Sequence, residues 1–300
     1  SMRERRVPLS NVGISQYPED ESRCLLDALS LIQGENMIRN DDVVVITPNF
    51  VKNIPPEFGV VTGHNTLRTL ISFVKKSNPR RIVMACGSGS KDTRAILDEL
   101  GITELIKQEC IEFVDLNHGP FTEITLNHSY PSKTKVNTLL NEMTFHISFT
   151  QLKQHEEAVM SGCIKNVALS WPPAEEHGHP KKNCGIHEDL HGFIRAMAEI
   201  IPIDLSILST MPAMVGTGPA KGVARNAGMV IAGTDPVAVD TVGARLLGFR
   251  PQAVNYLYQA IRAGIGKGKL EEIQMSGINL KDAERTFSHA VYGQSFAVDE

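Results

Sequence analysis

Half of the histidines in this chain lie in one segment. Five of the ten fall between His155 and His191, where Lys165 and Asn166 also lie, and Lys153 comes two residues before the first of them. Imidazole binds metals and exchanges protons near neutral pH, and burial lowers the pKa of a lysine amine, which makes it a better nucleophile. This composition indicates a metal or acid–base site rather than a packed core.

Lys153 and His155 have a spacing that suits catalysis. Two residues apart on an extended chain, their side chains point to the same face. If the strand ends where α/β sheets collect ligands, His155 can act as the general acid or base, with Lys153 beside it. The alternative is a surface histidine in a loop.

The remaining histidines of the segment are candidate metal ligands. His187 and His191 would share one face of a helix predicted over 187–200, at the spacing that helical zinc sites use. His179 forms a His-x-His pair with His177, which either binds a transition metal or belongs to a solvated loop. HEDLH (187–191) also fits the short metalloprotease pattern H-E-x-x-H, a minor alternative because it begins a helix instead of lying inside one.

Two glycine-rich loops could bind an anion. The first, at 87–90, follows a predicted strand and precedes a predicted helix, so its backbone N–H groups could bind phosphate or carboxylate. The second, at 216–222, could let backbone approach a ligand closely. A tight turn and a mobile connection are the respective alternatives. The candidate cofactor-binding residues in these loops are Ser88, Gly89, Gly216, Gly218 and Lys221.

Apolar, β-branched stretches alternate along the chain with stretches of helical periodicity. The predicted strands are 43–47, 81–85, 111–115, 144–149, 204–208, 227–233 and 272–276, and the predicted helices are 66–76, 90–100, 133–142, 187–200, 236–247 and 251–263. Asp235 is placed to cap its helix, and Asp240 inside that helix is either a buried hydrogen-bonding group or an exposed one.

This alternation predicts an α/β fold, with a parallel-rich sheet and flanking helices. The pattern restarts after Pro202. We therefore expect a larger N-terminal lobe over 1–202 and a smaller C-terminal α/β lobe over 203–300, with the site between them.

Composition narrows the function classes. The balance of 30 basic against 34 acidic side chains gives no electrostatic case for nucleic acid or an anionic membrane, and no apolar run reaches the ~20 residues of a membrane span. The first twelve residues lack a signal-peptide core, and five scattered cysteines fit a reducing compartment. We expect a cytoplasmic protein with a small-molecule ligand. The absence of a CxxC motif excludes an iron–sulfur cubane site of the CxxCxxC type.

Four segments together carry a family resemblance. LKQHEEAVMSGCIKN (152–166), GTGPAKG (216–222), AGTDPVAVD (232–240), and LLGF followed by AGIGKG resemble the bacterial and archaeal family known as domain of unknown function 362. The resemblance covers most of residues 40–280. Many members of that family carry a ferredoxin-like iron–sulfur module, so a redox partner is one alternative for this chain. A homo-oligomer is another.

The chain is also distantly similar to the nickel-pincer lactate racemase family. That resemblance implies that His155 is a catalytic histidine, that Lys165 tethers a nickel–pyridinium cofactor with Asn166 beside it, and that His187 ligates the nickel. Residues 86–90 contain no histidine where that family has its second catalytic one. The resemblance thus implies one acid–base histidine here instead of two.

Three functional hypotheses follow. The leading one is an enzyme that uses a metal or organometallic cofactor for proton or hydride transfer on a small hydroxy or keto acid. In it, His155 is the acid–base residue, Lys165 the anchor and His187 the metal ligand. The second is a non-catalytic accessory protein that binds a metal or cofactor with the same residues. The third is a phosphate- or nucleotide-binding module built on the two glycine-rich loops.

Overall fold

The computed structural model describes residues 3–49, 63–90, 92–216 and 222–299. The strands found within these residues are β1 (Asn11–Gln16), β2 (Val43–Pro48), β3 (Arg81–Cys86), β4 (Glu112–Asp115), β5 (Phe121–Thr125), β6 (Lys133–Asn137), β7 (Phe145–His155), β8 (Val159–Ser161), β9 (Leu205–Val215), β10 (Val223–Arg225), β11 (Met229–Gly233) and β12 (Gln274–Gly277). The α-helices are α1 (Glu21–Leu31), α2 (His64–Lys75), α3 (Thr93–Glu99), α4 (Ile102–Glu109), α5 (Leu139–Glu142), α6 (Cys163–Ser170), α7 (Ala174–His177), α8 (Leu190–Ile200), α9 (Pro236–Leu247), α10 (Asn255–Arg262) and α11 (Leu280–Tyr292).

One large sheet forms the centre of the fold. Its strands run in the order β12-β1-β11-β9-β7-β2-β3-β4, with β10 paired to β9 and β8 to β7. The run β9-β7-β2-β3-β4 is parallel throughout, whereas β11 is antiparallel to both its neighbours. Every residue of β2 is buried, as expected for a parallel strand covered on both faces. The predicted α/β class and parallel-rich sheet are confirmed.

Helices cover both faces of this sheet. One apolar cluster joins α1 to α4 with one set of strand side chains, and a second joins α6 and α8 to α11 with the other set. Alternate residues of β2 divide between the clusters, since Val44 and Ile46 belong to the first and Val45 to the second. β9 follows residue 202 and pairs with β7 in the same sheet. The division into lobes at that residue stays a prediction.

Several predicted helices differ from the structure in extent or type, and the α-helices within 90–100 and 251–263 begin only at Thr93 and Asn255. Residues 133–142 contain β6, which pairs with β5 in a separate hairpin, and only a short helix after it. The burial of β6 alternates between exposed Lys133 and Lys135 and buried Thr134 and Val136, which is the period of a strand. The helix predicted over 187–200 begins at Leu190 instead.

Candidate functional site

A cavity of about 330 Å³ opens where β2, β3 and β7 approach their carboxyl ends. Open α/β sheets bind ligands at this edge. The residues predicted from the sequence that line it are Lys153, His155, Lys165, Asn166, Gly89 and His187. Those that do not line it, among the described residues, are Ser88, Gly216, His179 and His191. Gly218 and Lys221 lie outside the described residues.

The end of β7 brings two of these side chains to the cavity. Its last residues turn back antiparallel to β8, which pairs Lys153 with Ser161 and His155 with Val159. Lys153 is 1 % exposed. Burial lowers the pKa of Lys153 well below its ordinary value, and the charge of Lys165 lowers it further. Ser161 also lines this cavity, and its hydroxyl is buried with no hydrogen-bond partner among the described residues.

Lys165 is positioned by a cap that comes from another helix. Asp240 in α9 accepts the N–H groups of Cys163 (2.9 Å) and Ile164 (3.0 Å), the first two residues of α6. The residue before them must be glycine, because a Cβ on Gly162 would lie 2.5 Å from the Asp240 carboxylate. Asp240 is thus the buried hydrogen-bonding group that the sequence left as one of two alternatives.

The Lys165 amine has an unusual environment. The residue is only 9 % exposed, and across the described ranges the amine makes no hydrogen bond and no ion pair within 4.0 Å. Burial lowers the pKa of Lys165 to about 8, although the negative charge of Glu157 raises it slightly. With a pKa of about 8, the amine titrates close to physiological pH.

His155 is held in a defined tautomer. Its Nδ1 accepts the backbone N–H groups of Glu157 (3.1 Å) and Ala158 (3.0 Å). An accepting Nδ1 carries no proton, so the neutral ring has its proton on Nε2. Burial, followed by the charges of Lys165 and Lys153, lowers the pKa of His155 to about 3. In this arrangement His155 presents a neutral hydrogen-bond donor to the cavity, and its role as general acid or base stays a prediction.

His187 has the opposite arrangement. Its Nδ1 lies 2.9 Å from Glu157 Oε2, and a hydrogen bond from His187 lowers the pKa of that carboxyl. Because an ionised carboxylate only accepts, Nδ1 donates and Nε2 keeps the lone pair. A histidine oriented by a carboxylate in this way is suited to accept a proton or to bind a metal.

The three predicted metal ligands do not converge. His191 donates from Nε2 to the Glu157 carbonyl (2.9 Å) and accepts the Tyr256 N–H at Nδ1 (2.9 Å), so both ring nitrogens are occupied. It is a structural contact, and it does not share a helix with His187. His179 is exposed. Within the part of the chain that the structure describes, His187 belongs to no group of three histidine, cysteine or carboxylate donors that lie close enough together to hold a metal ion.

The glycine-rich loop at 87–90 uses most of its own donors. The N–H groups of Gly87, Ser88 and Ser90 donate to the hydroxyls of Ser170 (2.9 Å), Thr93 (2.9 Å) and Ser88 (3.2 Å) respectively. These bonds close the turn between β3 and α3 and leave fewer donors for an anion than the sequence suggested. In the other loop, the N–H of Gly216 donates to the Gln154 side chain.

Sequence reasoning missed Lys181 in the cavity wall. Its ammonium donates to the carbonyls of Leu169 (2.8 Å), Gly87 (3.0 Å) and Ser170 (3.3 Å), and it joins the end of α6 to the turn after β3. Burial lowers the pKa of Lys181 to about 7, whereas the three carbonyls favour the charged form. Nothing in the sequence separates this buried lysine from the exposed Lys182 next to it.

Asn166 also serves the architecture. Its side-chain amide donates to the Thr47 carbonyl (2.9 Å) and the Ser148 hydroxyl (3.0 Å), which fixes α6 against β2 and β7. This side of the cavity is therefore held by contacts between three elements.

The chain belongs to the family described as Domain of unknown function (DUF362), whose model matches residues 44–245. The family predicted from the sequence is confirmed. "Thylakoid-associated protein sll1697" from Synechocystis sp. is 22% identical over 233 residues, which are 77% of this chain and 70% of that protein. Among solved structures, the lactate racemase apoprotein from Thermoanaerobacterium thermosaccharolyticum is similar with a TM-score of 0.40 and 16% identity. That similarity covers 74% of this chain, which spans only 54% of the racemase chain. Among the described residues, no helix combines the length and apolar character needed to cross a membrane.

Proposed function

We propose that this chain is an enzyme that binds a small hydroxy or keto acid in the cavity and moves a proton or hydride on it. The observation that carries the proposal is the Lys165 amine in the cavity wall, which belongs to a residue only 9 % exposed and makes no hydrogen bond or ion pair within the described residues. A buried cation is costly unless a counter-charge accompanies it. The carboxylate of a ligand would supply that charge, and Lys153 would present a second amine on the same wall.

The two cavity histidines suit complementary roles. His155 would donate from Nε2 to an oxygen of the bound acid, because its Nδ1 is an acceptor and its pKa of about 3 keeps it neutral. His187 would take the proton at Nε2, and Glu157 would stabilise the resulting imidazolium through Nδ1. The Ser161 hydroxyl is a further donor or acceptor for the ligand.

Transfer of a hydride requires an acceptor beyond these side chains. The residues present fit a tethered organometallic cofactor in two respects: Lys165 offers an amine for a covalent link, and His187 Nε2 offers a lone pair for a metal. Such a cofactor, when bound, supplies the hydride acceptor. In that case the metal occupies His187 Nε2, so Lys153, whose lowered pKa favours the neutral amine, would accept the hydroxyl proton of the acid.

The proposal is tested by binding and by proton exchange on the same samples. Pyruvate and lactate are titrated calorimetrically into the wild type, Lys165→Ala and the control Lys133→Ala, an exposed lysine on β6. We expect Lys165→Ala to weaken binding about tenfold or more, and Lys133→Ala to leave it unchanged. Equal affinity in all three proteins would overturn the anion site.

Hydrogen–deuterium exchange on the bound acid distinguishes an enzyme from a non-catalytic accessory protein. Incubation in D₂O, followed by NMR, measures deuterium incorporation next to the carboxylate. Incorporation by wild-type protein from its native host supports the enzyme. A hydride held by a cofactor does not exchange with D₂O, so chiral chromatography of L-lactate measures that route. Binding with neither deuterium incorporation nor a change in the lactate enantiomer ratio in that protein would overturn catalysis and favour the non-catalytic accessory role.

A further inference from the structure

A second group of polar side chains lies outside the cavity lining, beside the turn that follows β4. Asp92, Asp115 and His118 each present one ligand atom, and these three atoms all lie within 4.8 Å of one another. We propose that this triad binds a divalent first-row transition metal. Neither the proposed reaction nor the cavity residues are needed for this inference.

Asp115 provides the observation that points to a cation. The residue is 7 % exposed, and its Oδ1 accepts the N–H of Asn117 at 3.0 Å, which fixes the carboxylate. Its Oδ2 is buried and has no hydrogen-bond partner among the described residues. Buried polar atoms almost always have a partner, and an orphaned carboxylate oxygen is among the costliest to leave unsatisfied. A metal ion would satisfy it.

His118 stands beside that orphaned oxygen. Its Nε2 lies 3.6 Å from Asp115 Oδ2, beyond hydrogen-bonding distance, and its Nδ1 lies 3.8 Å from Glu175 Oε2. A histidine that ligates a metal through one nitrogen usually has a carboxylate near the other. The side chain of His118 is 62% exposed, so an ion can enter from solvent and keep water in its remaining positions.

The donor set selects the class of ion. Two carboxylates and one imidazole suit zinc, manganese or ferrous iron, whereas calcium and magnesium prefer oxygen ligands alone. Three protein ligands leave open positions, so the ion would hold water as well. The cluster contains no thiolate, which disfavours copper(I).

The ion would also brace the wall of the cavity. Asp92 precedes Thr93, whose hydroxyl accepts the Ser88 N–H at 2.9 Å. Asp115 lies two residues before Asn117, whose side chain donates to the Ser88 carbonyl at 2.8 Å. Ligands from both segments would therefore fix the turn at 87–90 that contributes Gly89 to the cavity.

The test is calorimetric titration of Zn²⁺ and Mn²⁺, each alone, into full-length, untagged protein that has been stripped with chelator. We expect one saturable site, with magnesium and calcium at least tenfold weaker. Asp115→Asn and His118→Gln should each weaken transition-metal binding tenfold or more. His179→Gln, an exposed histidine elsewhere, and His187→Gln in the cavity should both leave it unchanged.

Three results would overturn the proposal: no saturable binding by the wild type, unchanged affinity in His118→Gln, or loss of the site in His187→Gln. His118 is mostly exposed, so its variant remains informative if Asp115→Asn fails to fold. As a second readout, metal should raise the melting temperature of the wild type and of His179→Gln, and leave that of His118→Gln unmoved.

Discussion

At the scale of single residues, the two cavity histidines differ by tautomer. The neutral ring of His155 carries its proton on Nε2, and His187 has its lone pair there. If the proposed reaction is correct, His187→Gln should slow deuterium incorporation about a hundredfold or more, because the base is lost. His155→Gln keeps a donor and should retain activity within about tenfold. Exchange rates measured by NMR at saturating lactate decide the order, and a larger loss in His155→Gln would refute the assignment.

The sequence identifies these residues but does not determine their roles. Clustering of histidine and lysine selected Lys153, His155, Lys165 and His187, which line one cavity. It equally selected His179 and His191, which do not. The role of each depends on partners brought by folding. Glu157 lies 30 positions from His187, and no local pattern links them. His191 is a histidine of the same segment, but both of its ring nitrogens already make hydrogen bonds within the fold.

At the scale of elements, helix α6 depends on a cap from α9. Asp240→Ala would leave the N–H groups of Cys163 and Ile164 unpaired, and we expect a loss of about 2 kcal/mol in unfolding free energy. Pyruvate binding should fall as well, because Lys165 follows directly. Asp240→Asn keeps an acceptor oxygen and should lose less. Urea unfolding and calorimetry on the same samples measure both effects.

Asp20 provides the matched control for that change. It caps α1 from an exposed position, where it accepts the N–H groups of Ser22 (2.9 Å) and Arg23 (3.3 Å). Asp20→Ala should cost about 1 kcal/mol of stability and leave pyruvate binding intact. If Asp240→Ala also bound pyruvate like the wild type, the cap would not position Lys165.

The strength of the local pattern decided which elements were predictable. Parallel strands buried on both faces, such as β2 and β3, are unbroken apolar runs, and the sequence located them within a few residues. The hairpin of β5 and β6 was missed because its alternation is short and its face is set by tertiary contact. The helix start at Leu190 depends on the cap of Asp189, whose side chain accepts the Gly192 N–H at 3.0 Å.

At the scale of the whole molecule, the two edges of the parallel sheet serve different purposes. The carboxyl edge carries the cavity. At the amino edge, the N-terminal segment joins three strands: Arg3 and the Arg6 N–H bind Asp204 before β9, and the Arg6 side chain binds Asp42 before β2. Asp204 also accepts the N–H of His146 in β7 at 2.7 Å. These contacts tie the N-terminal segment to the sheet, and they lie at the edge opposite the cavity.

The amino edge should make stability depend on acid. Burial raises the pKa of Asp42, but bonds from Arg6, the Arg39 N–H and Thr144 outweigh it and set the value at about 2, below the ordinary 3.8. A lowered carboxyl pKa stabilises the fold above pH 4, and this stabilisation is lost as pH falls through about 2. We expect that loss to be about 2 kcal/mol.

Asp42→Asn should lose stability at neutral pH and show a flatter dependence of stability on pH below pH 4. Asp27→Asn, from an exposed pair with Arg23, should behave like the wild type. Urea midpoints between pH 2.5 and 7 measure this, and an Asp42→Asn profile parallel to that of the wild type would contradict it. Pyruvate binding at pH 7 should survive Asp42→Asn, because the altered contacts lie at the edge of the sheet opposite the cavity.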